Sequence, residues 1–241
     1  MKLTIIGSSH GVPEANRRCS STMVEVGGRI YFVDMGTMVI DELRRRGKRV
    51  EDVRGIFLTH MHGDHSNGLF QFIDLMNWWF TKADPVICLP DMGAVEIFDR
   101  WLQMTTIGRL REYQFRPVEA GVVFDDGVLK VTAIRTKHLA VSYAYLLEAE
   151  GKRVVITGDL KNPREDFPVE ALAAPLDLVI SECAHFPASE YLPLYEREDI
   201  RKICITHYAP RFTDTVYALQ KHLDELNKPM LIATDGLEIE V

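Results

Sequence analysis

Residues Thr59 to His65 read THMHGDH, which puts three histidines and one aspartate into a single short stretch. They stand directly after the apolar run Val53 to Leu58. Packing alone gives no reason to crowd imidazoles and a carboxylate at the end of a buried strand. Metal binding does, because neutral imidazoles hold a cation without cancelling its charge and a carboxylate adds attraction. A helix would put His60 and Asp64 on one face and scatter His62 and His65. The sequence therefore predicts a loop that folds all four inward, with Gly63 at its bend.

Three further residues extend the set. His138 follows "VTAIRTK", Asp159 follows "VVITG" and His207 follows "ICIT". Each is expected where a buried strand gives way to a loop. Strand ends on one rim of a sheet can converge, and the loops there commonly carry function. Five imidazoles and two carboxylates exceed what one ion needs and suit zinc-like metals. A carboxylate shared by two ions would hold them about 3.5–4 Å apart, with a water between them that loses its proton near neutral pH. The ions would also take up the charge that develops on the bond under attack.

The surrounding elements must bring these residues together. "KLTIIG", "STMVEV" and "RIYFVDMG" read as strands, with Gly27-Gly28 as a hairpin turn. "TMVIDELRRRG" reads as a helix ending at Gly47, and "VRGIFLTH" as the next strand. Ser66 is the expected N-cap of a helix to about Phe80, carrying Leu69, Phe72, Ile73 and Met76 at helical spacing. "PVICLP" is a strand, and Asp91 is expected to cap a helix reaching about Trp101. After Pro117 strands return: "VLKVTAIRT", "VSYAYLLEA", "RVVITGD", "LDLVISE" and "KICITH". A last helix opens at Thr213 or Thr215, with Val216, Leu219, Leu223 and Leu226 on one stripe. "MLIATDG" and "LEIEV" close the chain. Strands dominate both halves, near Met1–Leu129 and Lys130–Val241, which predicts two mixed sheets face to face with helices outside. Some of Trp78, Trp79 and Trp101 are expected in the core.

The 241 residues, 46% hydrophobic and 26% charged, describe a folded chain with no linker or low-complexity tract, so one domain over residues 1–241 is expected. A net charge of −7 argues against a broad nucleic-acid-coating face. The basic run Arg44 to Arg49 reads as a solvated helix end, where cations suit the dipole. The cysteines at 19, 88, 183 and 204 form no CxxC pair. The apolar part of the N-terminus is too short for a signal peptide, and no run reaches the length of a membrane span. A cytoplasmic location and no membrane partner are the resulting expectations.

HxHxDH followed by a separate His, Asp and His resembles the metallo-β-lactamase superfamily. The resemblance implies an α+β fold, an αββα four-layer sandwich. It implies that His60, His62 and His138 hold one metal, that Asp64, His65 and His207 hold a second, and that Asp159 bridges them. Two divalent ions are implied, zinc first, with manganese or iron as alternatives.

Other segments look like the ribonuclease Z-like phosphodiesterases. "GSSHGVPEANRRCSSTMVEVGGRIYFVDMG" is similar to that branch's N-terminal stretch, "ITHYAPRF" to its segment around the last ligand, and "ATDGLEIEV" to its chain end. "SECAHF" partly matches its His-Glu-Ala-Thr-Phe segment, with Glu182 in the glutamate position. Two departures stand out. The branch's long tRNA-gripping arm has no room between His138 and Asp159, where a hairpin is predicted. Its His-x-Thr segment has no clear counterpart between Glu182 and His207. A small phosphodiester, cyclic or nucleotide-like, is therefore the expected substrate, and tRNA is not.

Asp64, Asp159 and His185 are the catalytic candidates. His185 is either a loop histidine or the proton donor to the leaving oxygen. Arg211 is either a phosphate contact or half of a surface ion pair. Asp34, at the end of "IYFVD", is expected to accept a proton from a ligand imidazole. His10 sits in the first loop, within reach of the rim, and His222 reads as solvated. The overall expectation is a dinuclear hydrolase acting through a metal-bound hydroxide, with a homodimer implied by the resemblance. A carboxylic ester, thioester or lactone hydrolase on the same metals is the alternative. A silent metal-binding protein is the rival of another class.

Overall fold

The computed structural model describes residues 1–105 and 111–241. Among the described residues, fourteen strands form two seven-stranded sheets. The first sheet has the order β14 (Glu238–Glu240), β1 (Lys2–Gly7), β2 (Ser21–Val26), β3 (Arg29–Val33), β4 (Val53–Phe57), β5 (Val86–Leu89) and β6 (Gln114–Pro117). The second has the order β13 (Met230–Ile232), β12 (Ile203–Tyr208), β11 (Leu178–Cys183), β10 (Lys152–Ile156), β9 (Tyr143–Ala149), β8 (Lys130–Arg135) and β7 (Gly121–Asp125). From β14 to β3 the first sheet is antiparallel, and from β3 to β6 it is parallel. The second repeats this division, antiparallel from β7 to β10 and parallel from β10 to β13.

The strands read as near-continuous apolar runs because both faces are covered. In β3, Tyr31 and Val33 face the space between the sheets, while Ile30 and Phe32 face the outer helices. In β10, Val154 and Ile156 point inward and Val155 outward. Helices α1 (Ile40–Arg45), α2 (Gly63–Trp78) and α3 (Gly93–Met104) cover the first sheet. The short α4 (Pro163–Asp166) and α5 (Leu192–Tyr195), with α6 (Thr213–Glu225), cover the second. The layers are thus helix, sheet, sheet, helix. Phe57, Phe124 and Tyr145 pack between the sheets, with Phe57 to Phe124 centroids 5.3 Å apart and Phe57 to Tyr145 5.9 Å. The Tyr145 hydroxyl donates to the Leu58 carbonyl at 2.6 Å, which joins the sheets just below the THMHGDH segment.

Several expectations need correction. The boundary between the sheets lies at Pro117–Gly121 rather than at Leu129, and β14 returns from the chain end to the first sheet. β6 and β7 are additions to the expected strands; Gln114–Pro117 is short and polar, and Gly121–Asp125 runs into the turn before β8. α2 begins at Gly63, not after Ser66, whose hydroxyl instead donates back to the His62 carbonyl at 2.9 Å. Asp64 and His65 therefore sit in a first helical turn rather than a loop. Trp78, Trp79 and Trp101 are all about half exposed, so none is in the core. Leu226 is likewise exposed, one residue beyond α6.

The Arg44–Arg49 run is more than solvated. Glu42 pairs with Arg45, with Arg46 at 2.8 Å and with Arg18 at 3.3 Å, while Arg46 also reaches Glu238 on β14.

Candidate metal centre

The parallel strands of both sheets end on one rim, as ligand sites in open α/β sheets commonly do. The first sheet contributes through β3 and β4. After β3, Asp34 turns left-handed, at φ 58°, a conformation Asp tolerates better than most residues. Its carboxylate accepts from the Thr59 amide at 2.7 Å and the Thr59 hydroxyl at 2.9 Å. The same carboxylate lies 2.8 Å from His65 Nδ1, which leaves His65 Nε2 to face the centre. Gly36 lets the chain after β3 lie against the start of α2: a Cβ there would fall 1.7 Å from the Asp64 carbonyl oxygen. Asp64, in the first turn of α2, is at the helix end that favours negative charge.

The second sheet supplies the rest. His138 follows β8, Asp159 follows β10, and His207 lies within β12 near its end, at φ 46°. Gly158 is left-handed and packs on Thr59, so the two halves touch beside Asp159. His60 Nε2 lies 3.0 Å from His62 Nδ1, and His138 Nε2 lies 3.3 Å from the same atom. Asp159 sits among them. Its Oδ2 is 3.8 Å from His60 and 3.7 Å from His138, and its Oδ1 is 3.2 Å from His65 and 3.4 Å from His207. His207 Nε2 is also 3.7 Å from Asp64.

Among the described residues, two clusters emerge whose ligating atoms all lie within 4.8 Å of one another: His60, His62, His138 and Asp159; and Asp64, His65 and His207. A third cluster, Asp159, Glu182 and His185, shares Asp159 with the first.

These residues fit a cation. His65 Nε2 and Asp159 Oδ1 are buried without a hydrogen-bond partner, an arrangement that is costly unless something else satisfies them. Burial holds the His60 imidazole down to about 2 and that of His138 down to about 4, so both offer neutral ligand nitrogens. Burial also opposes charge on Asp159 and on His65, but their mutual attraction wins. Asp159 is held well below the usual carboxylate range with the help of His207, and His65 well above the usual imidazole range with the help of Asp34.

His185 leans over this centre. Its ring centroid is 4.7 Å from that of His138, and its Nε2 is 3.9 Å from Asp159 Oδ2. Its Nδ1 is 2.8 Å from Glu182 Oε1, a contact that raises its proton affinity above the ordinary range although burial works the other way. Glu182 is almost fully buried, and it also accepts from the Leu160 amide at 2.9 Å and the Ala184 amide at 2.6 Å. An open cleft of about 500 Å³ leads to the centre, with His10, Gly11, Ala184, Pro210 and Arg211 among its walls. Arg211 donates to the Ala184 carbonyl at 2.9 Å. His222 lies away from the centre, 3.2 Å from Glu196.

Sequence reasoning missed Ser20, whose hydroxyl is 2.7 Å from His207 Nδ1 and fixes which ring nitrogen faces the centre. It lies inside the Cys-Ser-Ser segment, where type alone gives no hint of an imidazole partner. Thr59 was also missed, since its link to Asp34 is visible only in space.

A family profile described as "Anti-Pycsar protein Apyc1" matches residues 1–223. The chain belongs to the anti-Pycsar protein Apyc1 family. This Apyc1-family chain is 22% identical to Ribonuclease Z of Methanosarcina acetivorans, over 100% of its own length and 98% of the relative's. It matches Ribonuclease Z of Listeria innocua at 26% identity over 66% of this chain, and spans about half of that protein's length, 53%. Its fold is that of human tRNase Z, short form, with a TM-score of 0.78 at 19% identity over 100% of this chain and 99% of that one. The metallo-β-lactamase fold protein YhfI from Bacillus subtilis superposes with a TM-score of 0.76 at 20% identity, covering 100% and 99% of the two chains. The Apyc1-family chain thus has the metallo-β-lactamase fold, and the curated relatives it matches include ribonuclease Z proteins. Among the described residues, no helix is long and apolar enough to cross a membrane.

Proposed function

We propose that the protein hydrolyses a small phosphodiester, cyclic or nucleotide-like, at a dinuclear centre. His60, His62 and His138 would hold one ion, Asp64, His65 and His207 the other, with Asp159 between them. When bound, the two ions, zinc first among the candidates, supply the activated water and accept charge from the phosphate. The observation that carries the reading is the Glu182–His185 pair. It places a proton-holding imidazole 3.9 Å from Asp159 in a cleft that also holds a guanidinium. A diester whose P–O bond breaks to release an alkoxide needs such a donor for the departing oxygen, and Arg211 matches phosphate oxygens. Relatives named as ribonucleases favour phosphorus over carbon as the electrophile.

The substrate is small in this reading. Between His138 and Asp159 stands the tight hairpin of β9 and β10, turned at Glu150 and Gly151, where a tRNA-gripping arm would have to emerge. We read residues 1–241 as one domain working in the cytoplasm, where its four unpaired cysteines suit a reducing medium. A homodimer is part of the same reading. Exposed Trp79, Ile97, Trp101 and Met104 offer it apolar surface, and light scattering tests it.

The deciding experiment is hydrolysis of bis-(p-nitrophenyl) phosphate by the metal-loaded protein, beside Asp159→Ala. Turnover that vanishes in the variant and under a chelator supports the proposal, and cyclic nucleotides are then assayed. A protein that carries two metals and turns over carboxylic esters, thioesters or lactones instead would overturn the phosphodiester assignment. Bound metal with no turnover on either class would leave the silent binding protein.

A further inference from the structure

His138 and Asp159 must approach closely, yet the sheet does not bring them together. His138 follows β8 and Asp159 follows β10, and β9 lies between these strands. Strands two places apart in a sheet are separated by about 10 Å. The ladder fixes where the strands end but not how far the loops lean across the end of β9. His138 Nε2 and Asp159 Oδ2 are nevertheless 3.7 Å apart.

A residue with no place in the ligand set bonds to both loops. Asp166 is the last residue of α4 and is 5% exposed. Its Oδ1 accepts from the Lys137 amide at 2.6 Å, one residue before His138. Its Oδ2 accepts from the Lys161 amide at 2.9 Å, two residues after Asp159. One carboxylate thus holds both loops, an oxygen to each. Neither donor belongs to α4, so these bonds do not serve to cap that helix.

α4 is itself anchored. The Asn162 side chain accepts from the Arg164 amide at 2.9 Å, and Phe167 is buried with the outer apolar cluster of the second sheet. Lys137 Nζ reaches the Glu165 carbonyl at 2.8 Å, a second tie between α4 and the His138 loop. Lys137 and Lys161 are exposed residues in loops.

We propose that Asp166 is a positioning residue for the metal centre, a staple that sets the distance between His138 and Asp159. The proposal rests on the dinuclear reading above. It acts through backbone amides beside the ligands, touching neither metal nor substrate. Its effect falls on the cluster of His60, His62, His138 and Asp159, because only there must a ligand from the β8 loop meet one from the β10 loop. The cluster of Asp64, His65 and His207 takes its histidines from α2 and β12, meets only Asp159 of the stapled pair, and is affected less.

The test is zinc affinity, measured stepwise by competition with a chromophoric chelator, for the full chain and for Asp166→Asn. His138→Ala marks which step belongs to the first cluster. Supporting groups around metal ligands typically contribute 10–100-fold to affinity. Asp166→Asn, which keeps one acceptor oxygen and loses the other, is expected to weaken the marked step about 10-fold or more and the other by less than about 3-fold. Equal weakening of both steps, or no change in either, would overturn the proposal and leave Asp166 a stabiliser of the fold alone.

Amide hydrogen exchange on the unaltered protein gives a check that needs no variant. Lys137 and Lys161 should be protected despite their exposure, and rapid exchange at both would also overturn the proposal. A chain that binds fewer than two zinc ions before any substitution would refute the dinuclear reading instead, so the two failures are distinct.

Discussion

His185 Nδ1 faces Glu182 Oε1 at 2.8 Å, from just past the end of β11, the strand that carries Glu182. The pair is local in sequence, but it hangs over Asp159, which comes from another strand. Glu182 turns the ring so that Nε2 points at the centre. This geometry predicts a dependence on the leaving group. His185→Asn should slow hydrolysis of diesters with alkoxide leaving groups by about 10²–10⁴-fold, the usual range for a lost proton donor. The loss should be much smaller with p-nitrophenolate, which departs without help. Equal losses on both substrate types, read from kcat, would remove His185 from that role.

Asp34 predicts a loss of metal rather than of turnover in the loaded protein. Its carboxylate orients His65 and is fixed by Thr59, and no ligating atom of the clusters belongs to it. Asp34→Ala should weaken metal binding by about 10–100-fold, while excess metal restores most activity. Equilibrium dialysis followed by elemental analysis reads the outcome.

Glu42 sets an acid limit on stability. Burial pushes its carboxyl up, but the Arg46, Arg45 and Arg18 guanidiniums outweigh burial and hold it below its ordinary 4.5. A carboxyl depressed on folding contributes stability that is complete above its unfolded value and is lost as pH falls through the folded one. Unfolding by urea should therefore become easier below about pH 4.5. Glu42→Gln should cost about 2 kcal/mol near pH 7, where charged hydrogen bonds are lost, and should flatten the acid limb. An unaltered limb in the variant would assign the acid sensitivity to other carboxyls.

Gly36 predicts coupling between packing and the site. A methyl group there would meet the Asp64 carbonyl oxygen at 1.7 Å, so α2 must shift. Gly36→Ala should destabilise the chain by about 3 kcal/mol, the upper end for overpacking, and weaken metal binding as well. Thermal melts with and without zinc separate the two effects.

The site was more legible in the sequence than the elements that carry it. His60, His62, Asp64, His65, His138, Asp159 and His207 could be picked out because ligand chemistry needs rare residue types at strand ends. Their closeness in space follows from the face-to-face packing of two sheets, which no local pattern encodes. The start of α2 was misplaced because Ser66 looks like a cap, whereas its hydroxyl bonds backward within the helix. The tryptophans were misjudged because helical spacing alone does not say which helix face meets the sheet. β6 was missed because a polar edge strand lacks the apolar alternation that marks inner ones. Ser20, Thr59 and Asp166 left no trace, since each acts on a partner that is distant in the chain or on a backbone amide.

Each of the two main ligand clusters draws residues from both sheets. His60 and His62 meet His138 and Asp159, and Asp64 and His65 meet His207. Cut between β6 and β7, the chain would yield two pieces, neither with a complete cluster. Chemistry here is a property of the seam. Any selection on catalysis acts on both halves together, so neither can drift in shape without the other, however far their sequences diverge.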